Sequence, residues 1–291
     1  MTTTAFRRRA VFLDVDGTLL QDGTHLPDSA VAAVRRAREN GHLVLLSTGR
    51  GMAELRGRIL DIGFDGAVTN GGAFAGVGDE LVVSRLMTAA DVARLTAAFE
   101  ARGIHWYLQS YDRLFASPGL PTLLADRLER DRALHDERAR ASGVDPDELE
   151  FFSVGMKTFD DAVHFSDAAI AKAVILGNDA DAVADLLAEL APDFAVVSGT
   201  IPLPDGSSGE VAPAGVNKGT AILEVLAHLG VDPADAIGIG DNWNDAEMFE
   251  VCGTAIAMGN ASPEVQALAD EVTTAIDDDG IRNAFARHGL L

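Results

Sequence analysis

The stretch VFLDVDGTLL, Val11 to Leu20, sets two carboxylates one residue apart inside an otherwise apolar run and follows them at once with Gly-Thr. A carboxylate taken out of water must be paired, coordinated or neutralised, so a buried strand does not carry two of them without a reason. The run makes sense if a strand ends at Asp14 and the chain turns at Gly17. Both acids then stand at the carboxyl end of that strand, where ligands bind in open parallel sheets. Taken alone, the pattern also fits a strand-ending Asp14 followed by an ordinary Asp16-Gly17 turn.

The rest of the chain supplies the sheet. Apolar runs HLVLLST at 42–48 and GAVTN at 66–70 follow, with a helical stripe at 30, 31, 34 and 37 in PDSAVAAVRRAREN, closed by Gly41. In the last third, NKGTAILEVLAHLG at 217–230 reads as a helix closed by Gly230, DAIGIGD at 235–241 as a strand and NDAEMFEVC as a helix. GTAIAMGN is a further strand, and SPEVQALAD a helix with Ser262 as cap and Pro263 at its first position. Short apolar strands alternating with amphipathic helices predict the α/β class: a Rossmann-like, mostly parallel sheet with helices on both faces.

Between about 84 and 207 the pattern changes to long amphipathic helices, TAADVARLTAAFEARG and LPTLLADRLERDRALHDERARASG, with strands IHWYLQS, KAVILG and FAVVSG. We read residues 84–207 as an α/β unit inserted into a core formed by 1–83 and 208–291. The charged run at 126–140 intersperses acids and bases, as a solvated helix face does. No internal repeat or low-complexity tract is evident.

The 291 residues carry a formal charge of −22, which opposes non-specific binding to nucleic acid or anionic membranes over a Debye length of about 8 Å at physiological salt. One basic pocket would still suffice for a small anion. Cys252 is the only cysteine, so no intrachain disulfide and no thiolate metal cluster are expected. Basic residues precede the first apolar run as in a leader, but Asp14 and Asp16 interrupt it, and no run approaches the roughly 18 apolar residues of a membrane span. A cytoplasmic protein is expected.

Three further clusters fall at predicted strand ends. LLSTGR places Ser47 and Thr48 before Gly49 and Arg50, donors suited to an oxyanion; an N-cap would also use a hydroxyl there. Lys218 occupies the first turn of a helix, where the dipole disfavours a cation, so its placement makes better sense if it faces an anion in the cleft, although a surface lysine is the commoner explanation of a lone lysine. IGIGDNWNDAEM ends a strand with Asp241, Asn244 and Asp245, an all-oxygen set that suits Mg²⁺. The seven histidines lie outside these clusters, so zinc is not expected.

Together the clusters describe phosphoryl chemistry. Asp14 can attack phosphorus once a cation offsets the repulsion, Asp16 can protonate the leaving oxygen and then activate water, Asp14 and Asp241 can hold Mg²⁺, and Thr48 with Lys218 can bind the phosphoryl oxygens.

At this point the sequence resembles the haloacid dehalogenase superfamily, in its Cof-type phosphatase branch with a subtype IIB α/β cap. The matching segments are DVDGTLL at 14–20, STGR at 47–50, TNGG at 69–72, GVNKGTAI at 215–222, GDNWNDAEMF at 240–249 and AIAMGNASPEV at 255–265, in order and with a cap-sized insertion between TNGG and GVNKGTAI. The resemblance implies Asp14 as nucleophile, and Asp16 as general acid/base and metal ligand through its carbonyl. It implies Thr48 as the phosphate-binding hydroxyl, Lys218 as the positioning cation, Asp241 as the acidic metal ligand and Asp245 as support for the metal shell. Asn244 would contact phosphate or order the site, and Asn70 would lie near the cleft. The substrate implied is a small phosphorylated metabolite, foremost a sugar phosphate. A phosphomutase or phosphotransferase, or a non-catalytic phosphometabolite sensor, would share these residues. Neither monomer nor homodimer is specified. Trp106, Tyr107 and Tyr111 could stack on a leaving group, although aromatic residues on a strand are more usually packed in its core. Asp277 to Asp279 read as a helix-capping run rather than a metal site.

Overall fold

Ala10–Leu13, the apolar half of the opening stretch, forms strand β1, and all four of its side chains are fully buried. It lies at the centre of an eight-stranded sheet in the computed structural model of the chain, which describes residues 7–21, 25–55, 58–143, 145–146, 157–161, 168–198 and 206–291. The first six residues, part of the segment weighed as a leader, lie outside the described residues. Packing divides the chain into two units. One comprises Met1–Gly49, Leu55–Ser84 and Asn217–Leu291; the other comprises Arg50–Glu54 and Arg85–Val216.

In the first unit, β1 is followed by α1 (Asp28–Glu39), β2 (Leu43–Ser47), α2 (Arg58–Ile62), β3 (Gly66–Thr69) and a hairpin of β4 (Phe74–Val77) and β5 (Glu80–Ser84). The second unit then supplies α3 (Ala89–Ala101), β6 (His105–Gln109), β7 (Leu114–Ala116), α4 (Leu120–Ser142), β8 (Asp160–Asp161), β9 (Lys172–Gly177), α5 (Ala180–Leu190), β10 (Phe194–Ser198) and β11 (Ser207–Pro213). The chain returns to the first unit with α6 (Lys218–Leu229), β12 (Ala236–Gly240), α7 (Ala246–Val251), β13 (Thr254–Ala257), α8 (Pro263–Gln266), β14 (Glu271–Val272) and α9 (Gly280–Arg287).

The first unit's strand order is β14-β13-β12-β1-β2-β3-β4-β5, parallel from β14 to β3 and antiparallel in the β4–β5 edge. The chain runs outward from β1 through β2 and β3, and later outward on the other side through β12 and β13. That reversal makes the β1 end a topological switch point, where an open parallel sheet leaves a crevice. Pleating sends alternate side chains to opposite faces. Ala10, Phe12, Leu43 and Leu45 join Ile222, Val225 and Leu226 of α6 and Met248 and Phe249 of α7 in one buried cluster. On the other side α1 packs on β2 and on α9, burying Ala30, Ala33, Val34 and Ala37.

Helix boundaries follow their local chemistry. Asn217 caps α6 by accepting from the Thr220 N–H at 2.8 Å, and Gly230, at φ 65°, ends it. Ser262 accepts from the Val265 N–H at 3.3 Å, with Pro263 at the first position of α8, as the sequence predicts. The acidic run is different. Asp279 is left-handed at φ 58° and makes no side-chain cap bond, whereas an N-cap needs extended backbone.

The second unit has a six-stranded sheet, order β10-β11-β9-β6-β7-β8. Helices α3 and α5 pack Leu95, Phe99, Leu186 and Leu190 against Trp106, Leu108, Ala173 and Ile175 on one face. Leu120 and Leu124 of α4 pack with Tyr107, Val174 and Leu176 on the other. Trp106 and Tyr107 are thus core residues, each 2% exposed, while Tyr111 is 41% exposed. The unit extends to Val216, beyond the boundary expected near Ser208, because β11 pairs antiparallel with both β9 and β10 and cannot be detached from that sheet. It also includes Arg50–Glu54. Glu54 accepts from Gln109 Nε2 at 2.8 Å and forms an ion pair with Lys157, and the Met52 N–H donates to the Tyr111 carbonyl at 3.2 Å.

Candidate active site

Register brings the motifs to one edge of the core sheet. Leu13 of β1 pairs with Leu46 of β2 and Ile239 of β12, so Asp14, Ser47 and Gly240 are the next residues of three adjacent parallel strands. The Asp14 N–H continues the ladder to the Ile239 carbonyl at 3.0 Å. Thr48 and Asp241 follow one residue further along. Ser47 and Thr48 are both buried, and the Thr48 N–H donates to the Val68 carbonyl at 2.9 Å.

Lys218, in the first turn of α6, is 1% exposed. Its Nζ donates to Asp14 Oδ1 at 2.6 Å and to Asp245 Oδ1 at 2.5 Å. The other oxygen of Asp245 accepts from the backbone N–H groups of Asp241 and Asn242 at 3.0 and 3.1 Å. Three donors therefore occupy most of the acceptor capacity of that carboxylate. Asp241 Oδ1 accepts from the Thr18 hydroxyl at 2.8 Å. Asp14, Asp241 and Asp245 each contribute an oxygen to a group whose members lie within 4.8 Å of one another, while Asp16 is exposed on the turn and stands outside that group.

Electrostatics follow from crowding. Burial pushes the Asp14 carboxyl well above the usual carboxylate range, and Asp245, Asp241 and Asp16 push it further against the pull of Lys218. Burial likewise lifts Asp241 to about 7, with Asp245 adding to the rise. Burial opposes the charge on Lys218, but Asp14 and Asp245 outweigh it and hold the ammonium protonated. Negative charge thus exceeds what Lys218 balances, and the donors are all oxygen. That set fits a hard divalent cation that keeps several waters; Asp14 and Asp241 would hold it, with Asp245 behind them.

The turn from β3 explains how two other motifs meet. Asn70, Gly71 and Gly72 are all left-handed, at φ 52°, 68° and 102°. The Gly71 N–H donates to the Thr48 carbonyl at 3.0 Å, and a Cβ on Gly72 would lie on the Asn217 carbonyl. Asn70-Gly71-Gly72 therefore joins the Thr48 loop to the start of α6, one residue before Lys218. Three buried polar atoms, Ser47 Oγ, Thr69 Oγ1 and Asn244 Oδ1, have no hydrogen-bond partner among the described residues. An unsatisfied buried polar atom is costly unless water or a ligand meets it. Trp243, on that same loop, is 55% exposed.

Thr18, Gly72, Asn217 and the two N–H donors to Asp245 were not singled out from sequence. The Thr in DGT follows the paired acids directly, and Asn217 and Asn242 each stand three residues before their capping partners Thr220 and Asp245, so these have a local signal. The approach of Gly72 to Asn217 depends on which loops meet.

The fold, with acids and a lysine gathered at the switch point of a parallel sheet, agrees with the class of hydrolase that the sequence family defines. The chain belongs to the haloacid dehalogenase-like hydrolases, whose sequence profile matches residues 11–285, and it is a phosphatase of that family. It is 26% identical to the 5-amino-6-(5-phospho-D-ribitylamino)uracil phosphatase YwtE of Bacillus subtilis over 289 residues, covering 94% of this chain and 95% of the relative. It is 27% identical to the phosphoglycolate phosphatase of Methanothermobacter thermautotrophicus over 282 residues, 96% of this chain and 98% of that one. Among solved structures, a subclass IIB sugar phosphatase of the same superfamily superposes with a TM-score of 0.74 at 23% identity, over 97% of this chain and all of the other. At that identity the likeness concerns the fold. Among the described residues, no helix is long and apolar enough to cross a membrane.

Proposed function

We propose that this phosphatase hydrolyses a small phosphorylated metabolite, a sugar phosphate foremost, through an aspartyl-phosphate on Asp14, with Mg²⁺ as cofactor. The observation that carries the reading is the buried Lys218 ammonium, bonded to one oxygen of Asp14 and one of Asp245 at the carboxyl edge of the sheet. It fixes Asp14 by Oδ1, while Oδ2 carries no hydrogen bond among the described residues and is the oxygen able to attack.

In the first step Asp14 Oδ2 bonds to phosphorus, the bond from phosphorus to the ester oxygen breaks, and Asp16 gives that oxygen its proton. In the second, the Asp16 carboxylate takes a proton from water, whose oxygen bonds to phosphorus as the bond to Asp14 breaks. Inorganic phosphate leaves and Asp14 is restored. Mg²⁺ held by Asp14 and Asp241, and by the Asp16 carbonyl, would offset the repulsion between the phosphate and the carboxylates. Lys218 neutralises part of the same charge, and Asp245 orients Lys218. Thr48, with Asn244 and more peripherally Asn70, would bind phosphoryl oxygens. The Arg85–Val216 unit, with Arg50–Glu54, would select the leaving group. The single cysteine, Cys252, is buried and suits a cytoplasmic protein.

A panel of phosphate esters with Mg²⁺ tests the reading. Inorganic phosphate should be released by the wild type and not by Asp14→Asn, and peptide mapping of quenched, borohydride-reduced wild type should place the phosphoryl group on Asp14. Turnover by purified Asp14→Asn, or transfer to a second hydroxyl without phosphate release, would overturn it.

A further inference from the structure

The turn carrying Asp16 has a weak point built into it. Gly17 is left-handed at φ 91°, and a Cβ there would fall on the Asp241 carboxylate, so any side chain would be strained and would displace Asp241. Glycine is also the residue whose backbone is least restrained, and a peptide next to it can rotate freely unless something holds it. The Gly17 N–H donates to the Leu20 carbonyl at 2.9 Å, which restrains one side. The other side is held from far along the chain: Asn260 Nδ2 donates to the Gly17 carbonyl at 2.8 Å.

Asn260 is itself fixed. Its Oδ1 accepts from the Ile276 N–H at 3.0 Å, so the two ends of the amide face groups of opposite kind and its orientation is determined. The Gly259 N–H donates to the Thr274 carbonyl at 3.1 Å, and Gln266 Nε2 donates to the carbonyls on both sides, Gly259 at 3.2 Å and Ala261 at 3.0 Å. A Cβ on Gly259 would lie 2.6 Å from the Ala275 nitrogen, so the loop is seated against the 273–276 segment with no slack. An exposed asparagine is thus braced by several bonds and aimed at one carbonyl of the turn.

We propose that Asn260 is a positioning residue for catalysis: by pinning the Gly17 carbonyl it holds the Asp16 turn where the Asp16 carboxyl can give its proton to the leaving oxygen. This rests on the phosphatase reading and on Asp16 as its acid.

The two bonds of Asn260 can be separated. Asn260→Asp keeps an acceptor for the Ile276 N–H and loses the donor to Gly17, whereas Asn260→Ala loses both. For wild type and both variants, kcat/KM is measured with an alkyl phosphate, whose alkoxide needs a proton to leave, and with p-nitrophenyl phosphate, whose phenolate leaves without one. The ratio of the two values does not depend on how much of a preparation is folded. General acid catalysis supplies about 10²- to 10⁴-fold, so loss of positioning should lower kcat/KM for the alkyl ester by about 10-fold or more relative to the aryl ester, in both variants. An equal fall with both substrates, or an Asn260→Asp protein with the wild-type ratio, would overturn the proposal and leave Asn260 a loop tether. A wild type active on neither ester would instead overturn the phosphatase reading, and this inference with it.

Discussion

Without its ammonium, Lys218 would leave Asp14 and Asp245 facing each other where both are buried. Removing one member of a buried charged set costs about 3–5 kcal/mol, because the survivors lose their partner but not their burial. Lys218→Ala should therefore lower unfolding free energy by about that amount in urea titrations and abolish turnover, and adding Asp14→Asn should restore part of the stability but none of the activity. Asp241 makes a pH-dependent version of the same argument. Its folded carboxyl titrates near 7, well above the unfolded value, so the folded state keeps a proton that the unfolded chain has released. The associated stability is complete at acid pH and is lost as pH rises through about 7. In chelator the melting temperature of wild type, relative to Asp241→Asn, should fall between about pH 4 and pH 7 and level off above. Mg²⁺ should raise it more at the alkaline end. A relative melting temperature that climbs over that interval would contradict the charge balance described for the site.

At the scale of elements, the site depends on loops that meet rather than on any one motif. Gly72→Ala places a methyl on the Asn217 carbonyl, which caps α6 one residue before Lys218. The start of α6 must shift, so phosphate release should fall about 10²-fold, as expected for a misplacement of about 1 Å at a reacting centre, while circular dichroism stays near wild type. Strand-end logic made Asp14, Asp241 and Thr48 readable from the amino-acid sequence, and Lys218 was readable because a cation at a helix start invites explanation. The Gly72–Asn217 approach and the reach of Asn260 were not readable, since each joins segments far apart in the chain. The β4–β5 hairpin also escaped notice: GGAFAGVGDELVVS is rich in glycine and has little alternation. The second unit runs on to Val216 because β11 pairs on both sides, with β9 and with β10.

On the scale of the whole molecule, the segment Arg50–Glu54 is the unexpected piece, because it follows the Ser47-Thr48-Gly49 strand end directly and yet packs with the other unit. Its anchor is Glu54, with a side chain 6% exposed, paired to Lys157, 11% exposed, and bonded to Gln109. Glu54→Ala should destabilise the unit containing Trp106, read by fluorescence as a lower midpoint in urea unfolding, since it removes the buried carboxylate that both Lys157 and Gln109 bond. An unchanged midpoint would remove Glu54 as the anchor.

That readout exists because of how the aromatic residues are distributed. The chain has two tryptophans, Trp106 at 2% exposure within the sheet of one unit and Trp243 at 55% on the loop after Asp241 in the other. One indole should emit in the blue, shielded from iodide, and the other in the red, open to quenching. The protein is therefore a self-labelled pair of optical probes. In a Trp106→Phe background, a change in iodide quenching on adding phosphate or Mg²⁺ would report directly on the loop that carries Asn244 and Asp245, with no dye attached and no turnover required.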